Sequence, residues 1–271
     1  MYKQTKENTI RVYKNRAQYD FQTIHSILAS TFVATVSFVV YDDGDDEPRP
    51  FSLPMTAVAG RYNPNSQKLP EDDGDDETYV QNHEAYDQPL DIYLHGNAAM
   101  VLNKVATSQG SVRICITATK VDGVVLHFAP NGHSLNYRSC VIHGDATKVT
   151  DPEEKYHAMH LLTNHMCRRR WSSVNPIAPR AMSSVQVLKV SIRSASAKAR
   201  ATNINGLERE GFGERDDVYT GVVPLYEVLG EPVHSGYHPD RPVQPEMQQW
   251  IDTRNRSERD YAEKVAQIPS S

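Results

Sequence analysis

The alternation of apolar and polar side chains cuts this chain into strands and short helices. Phe21, Ile24, Ile27 and Leu28 within FQTIHSILA (21–29) fall on one helical face. TFVATVSFVV (31–40) is dense in β-branched and aromatic residues and predicts a strand. FSLPMTAV (51–58) reads as its antiparallel partner, with Pro54 at an edge or bulge because proline has no N–H for the ladder. Residues 91–94 read as a further strand. A helix over 95–106 follows, its apolar stripe made by Ala98, Val101, Leu102 and Val105. SVRICITAT (111–119) and VVLHFA (124–129) flank Val121-Asp122-Gly123 and predict a hairpin closed by a short Asp-Gly turn.

The stretch HSLNYRSCVIHGDATKV (133–149) changes character halfway. His133, Ser134, Asn136, Tyr137 and Arg138 crowd its polar head. Cys140 and Ile142 then alternate with Val141 and His143, and Gly144 marks a bend or bulge. Asp151-Pro152-Glu153-Glu154 is a helix start, with an aspartate cap, proline at the first helical position and acid in the first turn. That helix runs to about Met166. VQVLKVSIRSA (185–195) places Val185, Val187 and Lys189 on one face and Leu188, Val190 and Ile192 on the other. It continues into 196–200, where Lys198 and Arg200 point the same way. YTGVVPL (219–225) is a short last strand, and 244–266 a polar helix anchored by Trp250 and Tyr261. The sum is about seven antiparallel strands with a few helices, which reads as a barrel. The expected organisation is an arm over 1–20, a main domain over 21–230 with an acidic insertion at about 61–90, and a tail over 231–271 that carries the last helix.

Composition narrows the function. With 271 residues the chain is one large or two small domains, and 39% hydrophobic content suffices for a core. A net charge of −5 gives no general attraction to nucleic acid or to an anionic membrane. No apolar run is long enough to span a bilayer, and the N-terminus has no signal-peptide core. Three cysteines, Cys115, Cys140 and Cys167, show no metal-ligand spacing. The expectation is a soluble, cytoplasmic protein. The acidic run DDGDDE (42–47) suits an exposed turn. EDDGDDE (71–77) suits either a solvated insertion or a cation or basic partner. His157 and His160 lie three apart on their helix with no evident further ligands, so surface histidines are expected there, not a metal site. Arg168-Arg169-Arg170 suit a helix C-terminus or a phosphate equally.

Several segments together resemble the pyridoxamine 5′-phosphate oxidase-like, FMN-binding split-barrel superfamily, and within it the flavin-nucleotide-binding, nitroimidazole-resistance-related branch. They are DIYLHGNAA (91–99), VRICITATKVDGVVL (112–126), HSLNYRSCVIHGDATKVTDPEEK (133–155), VLKVSIRSASAKAR (187–200) and TGVVPL (220–225). The resemblance implies a mainly β fold, a six-stranded antiparallel Greek-key split barrel with an extra C-terminal segment. It implies a homodimer with FMN at the interface and a small-molecule substrate. Under it, the residues expected to meet FMN are Thr56, His95, Asn97, Lys104, Asn136, Arg138, Lys198 and Arg200. The physical demands agree: a phosphate needs cationic side chains or free helix N–H groups, and a flavin ring needs a dry slot. No catalytic acid or base is assigned, because hydride chemistry belongs to the flavin. Relatives carry Ser-Arg soon after His-Gly, where this chain has Met100-Val101. At about 1.5–3 kcal/mol per charged hydrogen bond, two lost contacts weaken FMN by roughly two powers of ten or more unless other cations substitute. The alternative is a non-flavin descendant whose cleft takes haem or another small molecule.

Overall fold

The computed structural model describes residues 1–41, 47–65, 86–204, 217–238 and 240–269. The acidic runs at 42–46 and 71–77 lie outside the described residues. The described strands are β1 (Ala17–Gln18), β2 (Ala34–Val40), β3 (Arg49–Met55), β4 (Ala57–Gly60), β5 (Asp91–Asn97), β6 (Val112–Leu126), β7 (Ser134–Lys148), β8 (Val185–Arg200) and β9 (Gly221–Pro224). The helices are α1 (Phe21–Ala29), α2 (Val101–Gln109), α3 (Pro152–Met166), α4 (Arg170–Ser173), α5 (Pro179–Ser184) and α6 (Pro245–Ala266). The strands form one sheet in the order β3-β2-β6-β7-β8-β5-β4, with β1 on β8 and β9 on β6. Nine strands are described where the resemblance implies six, and the two-residue β1 and four-residue β9 are among the additions.

The described chain forms two compact units, one within residues 1–119 and 139–198, the other within 120–138 and 199–269. In the first unit β2 pairs antiparallel with β3 and with β6, and β5 with β4 and β8. Pro54 sits on β3 at the sheet edge, opposite Thr35, where its missing N–H breaks no ladder. The first unit's core gathers Ile24 and Leu28 of α1, Val36, Ile92, Leu94, Ile114, Ile116, Ile142, Leu188 and Val190. Each such side chain fully buried stabilises by about 1.5–3 kcal/mol. The first residues are docked: Tyr2 is buried edge-on to Phe21 and bonds His25 at 2.8 Å, and Asn8 Nδ2 donates to the Ala195 carbonyl.

Local chemistry fixes the helix starts. Asp20 caps α1 by accepting from the Thr23 N–H, and Asp151 caps α3 by accepting from Glu153 with proline behind it. On α2 the buried residues are Leu102, Asn103, Val105 and Ala106, while Ala98 precedes the helix and Val101 is exposed. The expected stripe is therefore rotated. A helix starting at Val101 turns Leu102, not Val101, toward β8.

In the second unit β9 pairs with the end of β6, and Val125, Val222 and Ala266 form a small core with Ile204. Here the expected hairpin is corrected. Asp122-Gly123 lies inside the continuous strand β6. Buried positions on β6 are even up to Asp122 and odd from Gly123 through Val125, the one-residue phase change of a bulge. A Cβ on Gly123 would stand 2.8 Å from a Val222 methyl, so glycine here admits β9 rather than making a turn. On α6 the buried residues are Ile251, Thr253, Arg254, Glu258, Ala262, Val265 and Ala266, and Trp250 and Tyr261 are half-buried.

The stretch at 133–149 is corrected similarly. Its polar head belongs to β7, which runs unbroken from Ser134 to Lys148. At Gly144 a Cβ would lie 2.6 Å from a Val190 methyl and 2.7 Å from the Ser191 carbonyl oxygen. Gly144→Ala is therefore expected to destabilise the fold by about 1–3 kcal/mol, read as a lower urea midpoint at unchanged slope. An unchanged midpoint would show that β7 and β8 have room to part.

Candidate functional site

Four of the eight expected residues collect where β5 runs into α2. Ala57 pairs with Leu94, so Thr56 and His95, one step beyond on each strand, stand at the same end of that ladder. His95 also pairs with Val187 of β8. It is half-buried, its Nδ1 is buried without a hydrogen-bond partner among the described residues, and burial lowers its pKa. The Asn97 side chain accepts from the Ala99 N–H, and the Asn97 carbonyl accepts from Asn103 Nδ2 at 2.8 Å. Met100 precedes α2 and offers no side-chain cap, so the first N–H groups of the helix have no capping oxygen. Its thioether packs over Gly96 and against the core, filling space with an apolar group. Lys104 stands exposed on the first turn of α2.

The other four sit on the far parts of β7 and β8. Asn136 is fully buried, and its Oδ1 accepts from Arg200 Nη1 at 2.5 Å and from the Thr202 N–H at 3.2 Å. Arg200 also donates to the carbonyls of Thr202 and Asn203. Arg138 donates to both carboxylate oxygens of Asp122, at 2.7 to 3.2 Å, and stacks 3.9 Å from the Tyr261 ring centroid. Burial lifts the Asp122 carboxyl, with the Arg138 guanidinium pulling the other way. Lys120 completes this cluster, 2.6 Å from Glu227 and 3.2 Å from Glu258, and Arg254 reaches Glu227 at 3.2 Å. Three cations thus face three acids, two of them supplied by the segment after residue 200. Lys198, half-buried, pairs with Ala17 of β1 and carries its ammonium 5.5 Å from the Tyr13 ring centroid.

Within the first unit, His95 and Lys198 lie far apart along β8. His95 lies opposite Val187, and Lys198 is eleven positions further along β8. At about 3.3 Å per residue that path is on the order of 35 Å. The sequence reading missed Lys120 and Asp122, which the Asp-Gly signal assigned to a turn. Carrying the period-two pattern of 112–118 forward would have placed both facing inward.

The histidines of α3 are corrected as well. His157 and His160 are buried, and among the described residues no group of three or more His, Cys, Asp or Glu side chains is placed to hold a metal. His157 packs beside Tyr62 and Tyr93, and His160 beside Trp171. His165 bonds the Thr31 carbonyl. The helix is polar by composition, yet it lies on β4 and β5 and buries its imidazoles with Leu161 and Leu162. All three cysteines are free thiols. No described helix is long and apolar enough to cross a membrane.

Comparison with known proteins places this geometry. Residues 20–199 match the family described as pyridoxamine 5′-phosphate oxidase. Among solved structures, the flavocytochrome Anf3 of Azotobacter vinelandii is similar with a TM-score of 0.67 at 23% identity, over 90% of this chain and 96% of that one. An FAD- and haem-binding protein of Mycobacterium smegmatis is similar with a TM-score of 0.61 at 18% identity, over 87% of this chain and 97% of that one. No curated protein matches by sequence. The mainly antiparallel sheet with peripheral helices is the split-barrel fold, and the structural likeness extends beyond residue 199.

Two measurements test the electrostatics. Burial, and then neighbouring His160, hold His157 neutral down to about 4, against an ordinary 6.5. The unfolded chain takes up that proton more readily, so stability is expected to fall as pH drops from about 6.5 toward 4. His157→Phe should flatten the fall in a series of denaturation curves; an identical pH slope would count against it. Arg138→Met would leave the Asp122 carboxylate buried without its main partner. Calorimetry should then read a loss of about 3–5 kcal/mol, as for other broken buried pairs.

Proposed function

The chain belongs to the pyridoxamine 5′-phosphate oxidase family, and on that premise we propose that it binds FMN and acts as a flavin-dependent oxidoreductase on a small molecule. The observation that supports this reading is the end of β5 and start of α2, which carries uncapped helix N–H groups, Lys104 and a half-buried His95 whose Nδ1 has no hydrogen-bond partner among the described residues. Helix N–H groups and a lysine suit a phosphate, and a neutral imidazole suits the polar edge of a ring. The residues present thus fit the group despite Met100-Val101. Thr56, His95, Asn97, Lys104 and Lys198 are the proposed contacts. Within the second unit, Arg138 and Arg200 are already bonded to Asp122 and Asn136.

Because Lys198 lies far along β8 from His95, a single ligand reaches both only when two copies of the chain bring opposite ends together. A homodimer with a shared site follows from this reading. When bound, a flavin supplies hydride or single-electron transfer; this chain's residues supply position, charge and exclusion of water. A second reading is supported by the Met100 thioether over Gly96, an apolar group where relatives have a hydroxyl. Under it the cleft takes haem or another small molecule in place of FMN.

Titrating FMN into purified, dialysed protein and recording absorption and flavin fluorescence tests both. FMN retained near one per chain is expected, with Lys104→Ala and Lys198→Ala each weakening it about tenfold or more, as loss of a charged hydrogen bond predicts. No flavin as purified and none taken up would overturn the proposal. An intense haem band instead would establish the second reading.

A further inference from the structure

The first nineteen residues lie outside the family match, yet the sheet fixes part of them. Ala17 and Gln18 pair with Lys198 and Ala197, and the Arg16 N–H donates to the Tyr13 carbonyl at 3.0 Å. Between these anchors Tyr13 adopts φ 54 and ψ 58, a left-handed conformation that costs a residue with a Cβ about 1–2 kcal/mol. The strained residue is also 59% exposed, so core packing does not account for it. Its ring is shared by two cations. Arg16 Cζ stands 4.3 Å from the ring centroid and Lys198 Nζ 5.5 Å. An exposed cation–π contact contributes only about 0.5–1 kcal/mol, roughly what the backbone strain costs.

These cations also lack acids. Arg138 rides a tyrosine ring too, but with Asp122 beside it. Neither Arg16 nor Lys198 has an acidic partner among the described residues. Between Glu7 and Asp20 the sequence holds no acid at all, while Arg11, Lys14 and Arg16 are basic. Strain held at an exposed residue, with two unneutralised cations arranged around it, is the pattern of a ligand clamp.

We infer that Tyr13, Arg16 and Lys198 form a phosphate-binding site, the ring holding two cations ready for one phosphate group. The site stands without the flavin reading. Where that reading holds, Arg16 joins Lys198 at the flavin 5′-phosphate, and this identification of the phosphate rests on it.

The test uses the full chain. Inorganic phosphate is titrated while the Arg16 Nε–Hε signal is followed by NMR. A saturable shift is expected, weakened about tenfold or more in Lys198→Ala. Tyr13→Gly suits the left-handed backbone, so it should keep the fold and still weaken phosphate binding. A shift that does not saturate, or that Lys198→Ala leaves unchanged, would overturn the site. Wild-type affinity in Tyr13→Gly would overturn the role of the ring. FMN and riboflavin then separate the sources of phosphate. Arg16→Ala weakening FMN but not riboflavin assigns the site to the flavin phosphate. Phosphate binding by a chain that takes no flavin keeps the site for free or other esterified phosphate and overturns only the flavin reading.

Discussion

The close approach of β7 to β8 at Gly144 is the constraint on which the arrangement depends. These two strands and β6 are 15 or 16 residues long and lie side by side in the sheet. A one-residue slip would turn Ile142, Leu188 and Val190 out of the core, so register is strongly specified. Once it is set, His95 stands opposite Val187 and Lys198 opposite Ala17. The strand length then separates His95 from Lys198 along β8.

Acid partners sort the cations of this chain. Lys120, Arg138 and Arg254 face the buried Asp122 and Glu258 and the more exposed Glu227. Charges so buried are stable only when paired, and removing one member strands the rest. Lys104, Arg16 and Lys198 have no acidic partner among the described residues and remain accessible. The segment after residue 200 supplies Glu227, Arg254, Glu258 and Tyr261 to the cluster around Arg138.

Elements governed by local chemistry were legible in the sequence. The apolar face of 21–29 announces α1, Asp151 announces α3, and the β-branched run of 31–40 announces β2. Elements decided by distant contacts were not. Asp122-Gly123 has the signature of a turn, but β9 pairs there and needs the missing Cβ. His157 and His160 sit on a helix whose composition reads as exposed, and only its placement on β4 and β5 buries them. The expected site residues were identified singly, but the separation of His95 from Lys198 follows from strand length and register. Tyr13 and Arg16 carried a faint signal, a basic stretch with one aromatic, which became specific only through the backbone angle and the pairing of β1.

The most direct measurement is native mass spectrometry of the protein as purified and after incubation with FMN. It weighs the assembly and whatever it holds together. A dimer that gains two FMN masses, and monomers that lose the flavin when the dimer dissociates, is the predicted result. A monomer that holds FMN alone, or a dimer that takes up none, would contradict a flavin site shared between two copies of the chain.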